Sequence, residues 1–360
     1  MSAGSRIGYA LGAAGAAAAA ALATGTVVER RVARTRETSG VEKLGGLHSE
    51  PTPVICDDGL LLHCEVDEIA PYKSPSRSRK RDDLTVIFAH GYSLNLDSWH
   101  YQRREFRGKY RMVFYDQRSH GRSPQSSREY ANIDQLGDDL LSVINRVARK
   151  GKVVLIGHSM GGMSVLAFAE RHPEVFAKRV AGVGLIATTA GDLKVHKILS
   201  RWIPDSVGGL VAPRLIRALA SAPDLVDSAR KSGSNVGYIV SELFGYGDFA
   251  NPAQVEFLNE MIAGTPMQVL AEFFPSFSAL NKFDTLQSLA GKPTLVLCGT
   301  SDRITEIKHS RRMAEAIPGS RLVECPKAGH MVMIECQDEV NDAINTLVAE
   351  ASGLMERAIS

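Results

Sequence analysis

Residues 153–162 read VVLIGHSMGG. A run of β-branched and aliphatic residues ends at Gly157, and a serine then sits between small residues. A continuous apolar run of this length, bounded by glycine, marks a strand buried on both faces. The stretch that follows, MSVLAFAERHP, is a helix-forming run. A strand that turns at once into a helix leaves little room, and Gly157 and Gly161 remove side chains where the two would collide. The turn lifts the Ser159 hydroxyl to its apex. Beside it, the helix N-terminus presents free N–H groups and a positive dipole end. Gly157-His158-Ser159-Met160-Gly161 thus fits G-x-S-x-G in the strand–turn–helix context that this pattern requires.

Working outward, similar apolar runs recur at 84–91, 111–123, 180–189, 292–302 and 320–330. Between two of them, Ile133, Leu136, Leu140, Leu141, Ile144 and Val147 fall at helical spacing. Buried strands alternating with helices predict a mostly parallel central sheet with helices on both faces. Before the first run, Asp57-Asp58-Gly59 separates two apolar stretches, a hairpin signal. Residues 70–83 are rich in Ser, Pro, Lys and Arg and read as a solvated basic loop. Residues 191–278 show no strand pattern. Helices are expected there at 210–220 and 253–263, together with several aromatics that look exposed. An insertion of this kind at the C-terminal edge of a sheet is where a lid sits.

A serine hydroxyl is a poor nucleophile until a base takes its proton, and that base should be a histidine held by an acid. His330 follows the last strand run, and Asp302 ends the preceding one. Asp192, just past the fourth run, is the fallback acid. His158 belongs to the turn itself, while His90 and His120 precede glycines and read as loop-shaping residues. A developing oxyanion needs two backbone N–H donors. Met160, directly after the serine, supplies one. The other is expected from Tyr92, chosen by its position after the first parallel strand.

With these residues in place, the chain resembles the α/β-hydrolase superfamily, in its lidded serine esterase and lipase-like branch. The resemblance rests on His90-Gly91, DQRSHGRS at 116–123, GHSMGG at 157–162, GTSD at 299–302 and Gly329-His330. The chain order Ser159, Asp302, His330 is the one that fold uses. Ser119 stands where the family's middle motif commonly has its first glycine. The resemblance implies an α/β-hydrolase fold with a helical lid inserted before the acid-bearing strand. The expected layout is an N-terminal segment 1–36, core 37–190, cap 191–278 and core 279–360. It also implies ester hydrolysis through an acyl-enzyme on Ser159. Thioesterase, amidase, carbon–carbon bond hydrolase and cofactor-free perhydrolase reactions stay open, as does a non-catalytic binding role on the same fold. Related enzymes with aspartate at the turn, the haloalkane dehalogenases and epoxide hydrolases, are disfavoured by Ser159.

Composition adds bounds. The 360 residues are 44% hydrophobic and 23% charged with a formal net charge of +2, which argues against nucleic acid as the main partner. Five cysteines without close pairs or zinc spacing predict neither a disulfide framework nor a metal, and no cofactor is expected. The expected partner is a small-molecule or lipid ester; the sequence sets no oligomeric state. Residues 7–28 carry no charge and are followed by Arg30, Arg31, Arg34 and Arg36. The favoured reading is a membrane anchor that keeps the body on the cytoplasmic side. A cleaved signal peptide or a loose Ala-rich tail, with a cytoplasmic or exported protein, are the alternatives.

Overall fold

The apolar runs become strands because their side chains can be buried alternately on two faces of one sheet. A computed structural model describes residues 43–70, 84–148, 150–193, 245–248 and 251–353. The apolar stretch 7–28, the basic loop 71–83 and the helix expected at 210–220 lie outside these residues. Among the described residues, no helix is long and apolar enough to cross a membrane.

The first elements among the described residues are β1 (Val54–Ile55) and β2 (Leu61–Leu62), an antiparallel hairpin in which Gly59 takes φ +84°. This is the turn that Asp57-Asp58-Gly59 predicts. Then follow β3 (Cys64–Asp67), β4 (Leu84–Ala89), α1 (His100–Phe106), β5 (Arg111–Tyr115) and α2 (Ile133–Val147). Next come β6 (Lys152–His158), α3 (Met160–Arg171), α4 (Pro173–Arg179) and β7 (Val180–Ile186). Within the insertion come α5 (Pro252–Gly264) and α6 (Met267–Ala279), and after it β8 (Thr294–Gly299), α7 (Ile307–Ala316) and β9 (Arg321–Cys325). The last elements among the described residues are α8 (Val332–Glu335) and α9 (Gln337–Ala351).

Strands β3 to β9 form one seven-stranded sheet in the order β3-β5-β4-β6-β7-β8-β9. Only β3 runs antiparallel, against β5; every other pair is parallel. Val86, Phe88, Val154, Ile156, Leu295 and Leu297 face one core, with Val340, Ile344 and Leu347 of α9. Ile87, Val153, Leu155 and Val296 face the other, with Leu140 and Ile144 of α2, Phe168 of α3 and Met313 of α7. This two-sided burial explains why the strands read as continuous apolar runs. Helix α3 is buried along Met160–Ala169, since it packs under α2 and against the sheet.

Strand order reverses at β4 and β6: from β4 the chain moves outward to β5, then crosses back. The ends of these neighbours lie side by side, Ala89 opposite Gly157. Loops leaving the two strands therefore diverge, opening the crevice where parallel α/β sheets place their ligands. The insertion leaves the core at Gly191 and returns at Asn281, and these two residues form an antiparallel bridge. In the described part of the insertion, Asn251 and Gln254 form a reciprocal capping box at the start of α5. Phe257, Phe273 and Phe277, which look exposed in sequence, are buried. They pack inward on the core, so sequence polarity around them is a poor guide to their exposure.

Candidate active site

The serine turn is held by backbone geometry. Ser159 takes φ +51° and ψ −119°, a strained conformation for a residue with a Cβ. Its N–H donates to Ile186 O at 3.0 Å, and its carbonyl accepts from Gly162 N and the Thr188 hydroxyl. A Cβ at Gly157 would stand 2.4 Å from Gly161 O, and one at Gly161 would stand 2.1 Å from Ala89 O. Both positions need glycine because backbone occupies the space. Met160 is the first residue of α3, so its N–H is among those a helix leaves without an internal acceptor.

Strands β8 and β9 deliver the other two groups. Asp302 Oδ2 accepts from His330 Nδ1 at 2.8 Å, and both residues are buried. That bond fixes the neutral tautomer, with the proton on Nδ1 and the lone pair on Nε2. Asp302 is itself held from several sides. Its Oδ1 accepts from Ile304 N and Thr305 N at 2.8 and 2.9 Å. Its Oδ2 accepts from the Thr305 hydroxyl at 2.8 Å and from the Cys298 thiol at 3.7 Å. The His158 ring reaches across to His330: its Nε2 donates to His330 O at 2.9 Å, with ring centroids 4.8 Å apart. The residue immediately before Ser159 thus touches His330 directly. Asp192, the fallback acid, is exposed and pairs instead with Arg312. Its carboxylate lies on the surface rather than against His330.

The loop after β4 completes the crevice. His90 Nδ1 donates to Gly91 O at 2.8 Å, and its Nε2 accepts from Gln117 N at 2.9 Å. Gln117 also donates to His90 O and accepts from the Ser164 hydroxyl of α3, tying this loop to the serine's helix. Burial lowers the His90 pKa to about 3 and that of His120 to about 4, so both rings are neutral hydrogen-bonding struts. Burial and the neighbouring His330 lower His158 well below its ordinary range. Tyr92 sits in this loop, with its hydroxyl donating to Leu270 O of α6 and its ring edge-on to Phe277 at 4.9 Å. It joins Met160, Val269, Phe273 and Phe277 in one apolar cluster.

The 116–123 segment is a buried brace. Asp116 accepts from Leu96 N and Arg122 N, and Arg118 is fully buried in a two-pronged pair with Asp139. Ser119 takes φ +65° where the family pattern has glycine. Its hydroxyl accepts from Ser126 N at 3.0 Å, which holds the left-handed backbone.

Sequence reasoning did not single out Thr305 or Gln117, and it assigned His158 only to the turn. For Thr305 a signal was present: Asp followed by Thr three residues later is the spacing of a side-chain-capped turn. Gln117 and His158 act across 47 and 172 residues of chain, and no local pattern announces such contacts.

A buried Asp–His pair bonded through His158 to a serine-bearing strand-to-helix turn, at the switch point of a parallel sheet, is the arrangement of the α/β hydrolases. The chain belongs to the alpha/beta hydrolase family, whose model matches residues 86–343. It is 25% identical over 267 residues to 3-oxoadipate enol-lactonase 2 of Acinetobacter baylyi, covering 74% of this chain and 89% of that protein. A bifunctional esterase/perhydrolase of Acinetobacter calcoaceticus is 35% identical over 94 residues, 26% of this chain and 33% of that protein. A thermophilic esterase from Thermogutta terrifontis shares the fold with a TM-score of 0.62 at 24% identity, over 84% of this chain and all of that one.

Proposed function

We propose that the protein is a serine hydrolase that cleaves carboxylic esters through an acyl-enzyme on Ser159. The observation that carries this reading is the buried Asp302–His330 hydrogen bond, locked by His158 to the turn that bears Ser159. His330 Nε2 takes the Ser159 proton as Oγ attacks the acyl carbonyl. The N–H groups of Met160 and Tyr92 receive the oxyanion. The alcohol leaves with the proton from His330, and water then cleaves the acyl-enzyme by the same route. Asp302 holds the ring and stabilises its cation. Residues 191–278 serve as the cap, and α6 supports this: Phe273 and Phe277 offer an apolar wall beside Tyr92 and Met160. An apolar acyl or alcohol group suits that wall. The enol-lactonase and esterase likenesses agree with ester chemistry.

A second reading is favoured by the local likeness to a bifunctional esterase/perhydrolase. There the same acyl-enzyme would be resolved by peroxide in place of water. Both readings require an activated serine. A fluorophosphonate probe is expected to label Ser159. Ser159→Ala is expected to lower p-nitrophenyl ester turnover by at least ~10³-fold. Turnover near the parental level in that variant, or no labelling of the folded parent, overturns the assignment.

A further inference from the structure

His330 stands on a loop whose backbone is anchored on both sides of the ring. Met331 N donates to Gly245 O at 2.7 Å. Gly329 N donates to Glu335 Oε1 at 2.7 Å. The second oxygen of the same carboxylate, Oε2, accepts from Gly247 N at 2.8 Å. One side chain thus holds two backbone segments: the base loop and residues 245–248, which lie in the insertion ahead of α5. Asp248 N donates to Lys327 O at 3.0 Å and closes the contact from the far side.

The two segments touch through bare backbone. A Cβ at Gly247 would stand 1.9 Å from Lys327 O, and one at Gly329 would stand 2.5 Å from Gly247 N. Nothing but hydrogen atoms separates them, so a small change in their spacing moves the loop that carries His330. A carboxylate that accepts two short N–H bonds is well suited to fix such a spacing, since bonds to a charged acceptor are about twice as strong as neutral ones. Burial, with Asp302 and Asp248 nearby, raises the Glu335 carboxyl to about 6. It is therefore ionised at neutral pH and able to accept on both oxygens.

We propose that Glu335 is a positioning residue for the base: its carboxylate clamps the His330 loop to segment 245–248 and so sets where the imidazole stands. The proposal rests on the reading of His330 as the base of Ser159. Asp302 orients the ring through Nδ1, His158 holds the carbonyl of the same residue, and Glu335 fixes the N–H just before it. Without the clamp the Asp302–His330 bond persists, while the pair moves relative to Ser159. A misplacement of about 1 Å costs on the order of 100-fold in rate.

The test is Glu335→Gln in the full chain. The amide keeps one accepting oxygen and turns an NH2 donor toward the other N–H, so the clamp is broken with the volume unchanged. The expected result is a fall in kcat of about 10- to 100-fold on a p-nitrophenyl ester, with KM within about threefold. Fluorophosphonate labelling of Ser159 slows in proportion. Amide exchange at Gly329 and Gly247 quickens about tenfold in the same variant. Should that variant not fold, Glu335→Asp keeps the charge, retracts it by one methylene and carries the same expectations. Parental kcat overturns the proposal, whatever the exchange rates, and so does a loss of kcat with exchange unchanged. Failure of the underlying reading shows elsewhere: the folded parent itself then takes no label at Ser159.

Discussion

Ser159 and His330 both stand on turns beyond the C-terminal ends of parallel strands, and the two turns are built differently. The serine turn is held by main chain. Its N–H and carbonyl bond to the neighbouring strand and to its own helix, and glycines let backbones touch at 157 and 161. The base loop has backbone contacts of the same kind, at Gly247 and Gly329, and adds holds from side chains brought from elsewhere: His158, Glu335, and the Thr300 hydroxyl, which accepts from Lys327 N at 2.8 Å. A turn of the first kind writes its constraints as glycines within a few residues. A turn of the second kind writes them as single polar residues scattered over the chain. The first should fail sharply when one methyl is added; the side-chain holds of the second can be removed one at a time and should weaken it by steps.

The largest effect should therefore come from Gly161→Ala. The added methyl would stand 2.1 Å from Ala89 O and 2.8 Å from His90 O, and neither is a side chain that can swing away. The end of β4 or the start of α3 has to move. Overpacking of this kind costs about 3 kcal/mol or more when the obstruction is backbone. Labelling of Ser159 should vanish with it, because the same shift displaces the loop that bears Tyr92. Thermal denaturation and probe labelling check this together. A variant that melts with the parent and labels at its rate would break the contrast between the two turns.

This difference also explains what the sequence made legible. The six apolar runs predicted the parallel strands because burial on both faces leaves no polar alternation to misread. The serine turn was visible because its constraint is local and steric. The order of Ser159, Asp302 and His330 follows from strands that deliver their loops to one edge. Asp192 illustrates the limit. It lies just past a strand end, as an acid should, yet its partner is Arg312, 120 residues away, and that pairing keeps it at the surface. The burial of Phe273 and Phe277 was hidden for the same reason. Their covering residues, Tyr92 in the loop after β4 and Met160 at the start of α3, lie far away in sequence. Glu335 was unreadable because its partners are backbone N–H groups, which carry no residue identity.

A smaller effect, and a sharper test of stepwise weakening, is Thr305→Val. It keeps the shape and the Thr305 N–H bond to Oδ1, and removes only the hydroxyl from Oδ2. Asp302 then loses one of its donors on the oxygen that also faces His330. A bond to a charged group contributes about 1.5 kcal/mol at the low end, equivalent to about a tenfold loss of kcat. Thr305→Ser, which restores the hydroxyl, should recover most of it. A valine variant with parental kcat would mean that the backbone N–H groups alone hold the acid, as in the serine turn.

The smallest expected change in rate is that of His158→Gln, and its larger signature lies in the pH dependence of stability. The glutamine amide can still donate toward His330 O, so kcat should fall only about two- to fivefold, within the range of one neutral hydrogen bond. The imidazole, however, has a proton ledger that glutamine lacks. Burial and His330 hold the His158 pKa well below its ordinary 6.5 in the folded chain, while the unfolded chain keeps the ordinary value. Below pH 6.5 the unfolded state therefore binds a proton that the folded state refuses. Stability is complete above pH 6.5 from this group and falls as pH drops. The slope approaches about 1.4 kcal/mol per pH unit once the unfolded histidine is fully charged. His90 and His120 act in the same direction, with folded values of about 3 and 4. Glu335 and Asp116, raised by burial to about 6, act in the opposite direction: the folded state binds their protons first, so they add stability as pH falls through 6. These terms are common to parent and variant, so the difference between the two isolates His158. Denaturant unfolding at pH 7, 6, 5 and 4.5 should show His158→Gln gaining on the parent by up to about 1.4 kcal/mol per pH unit below 6.5. Parallel stability curves would mean that the ring is charged in the folded protein. It would then lie against His330 as a cation, and the neutral strut that ties the base loop to the serine turn would not exist.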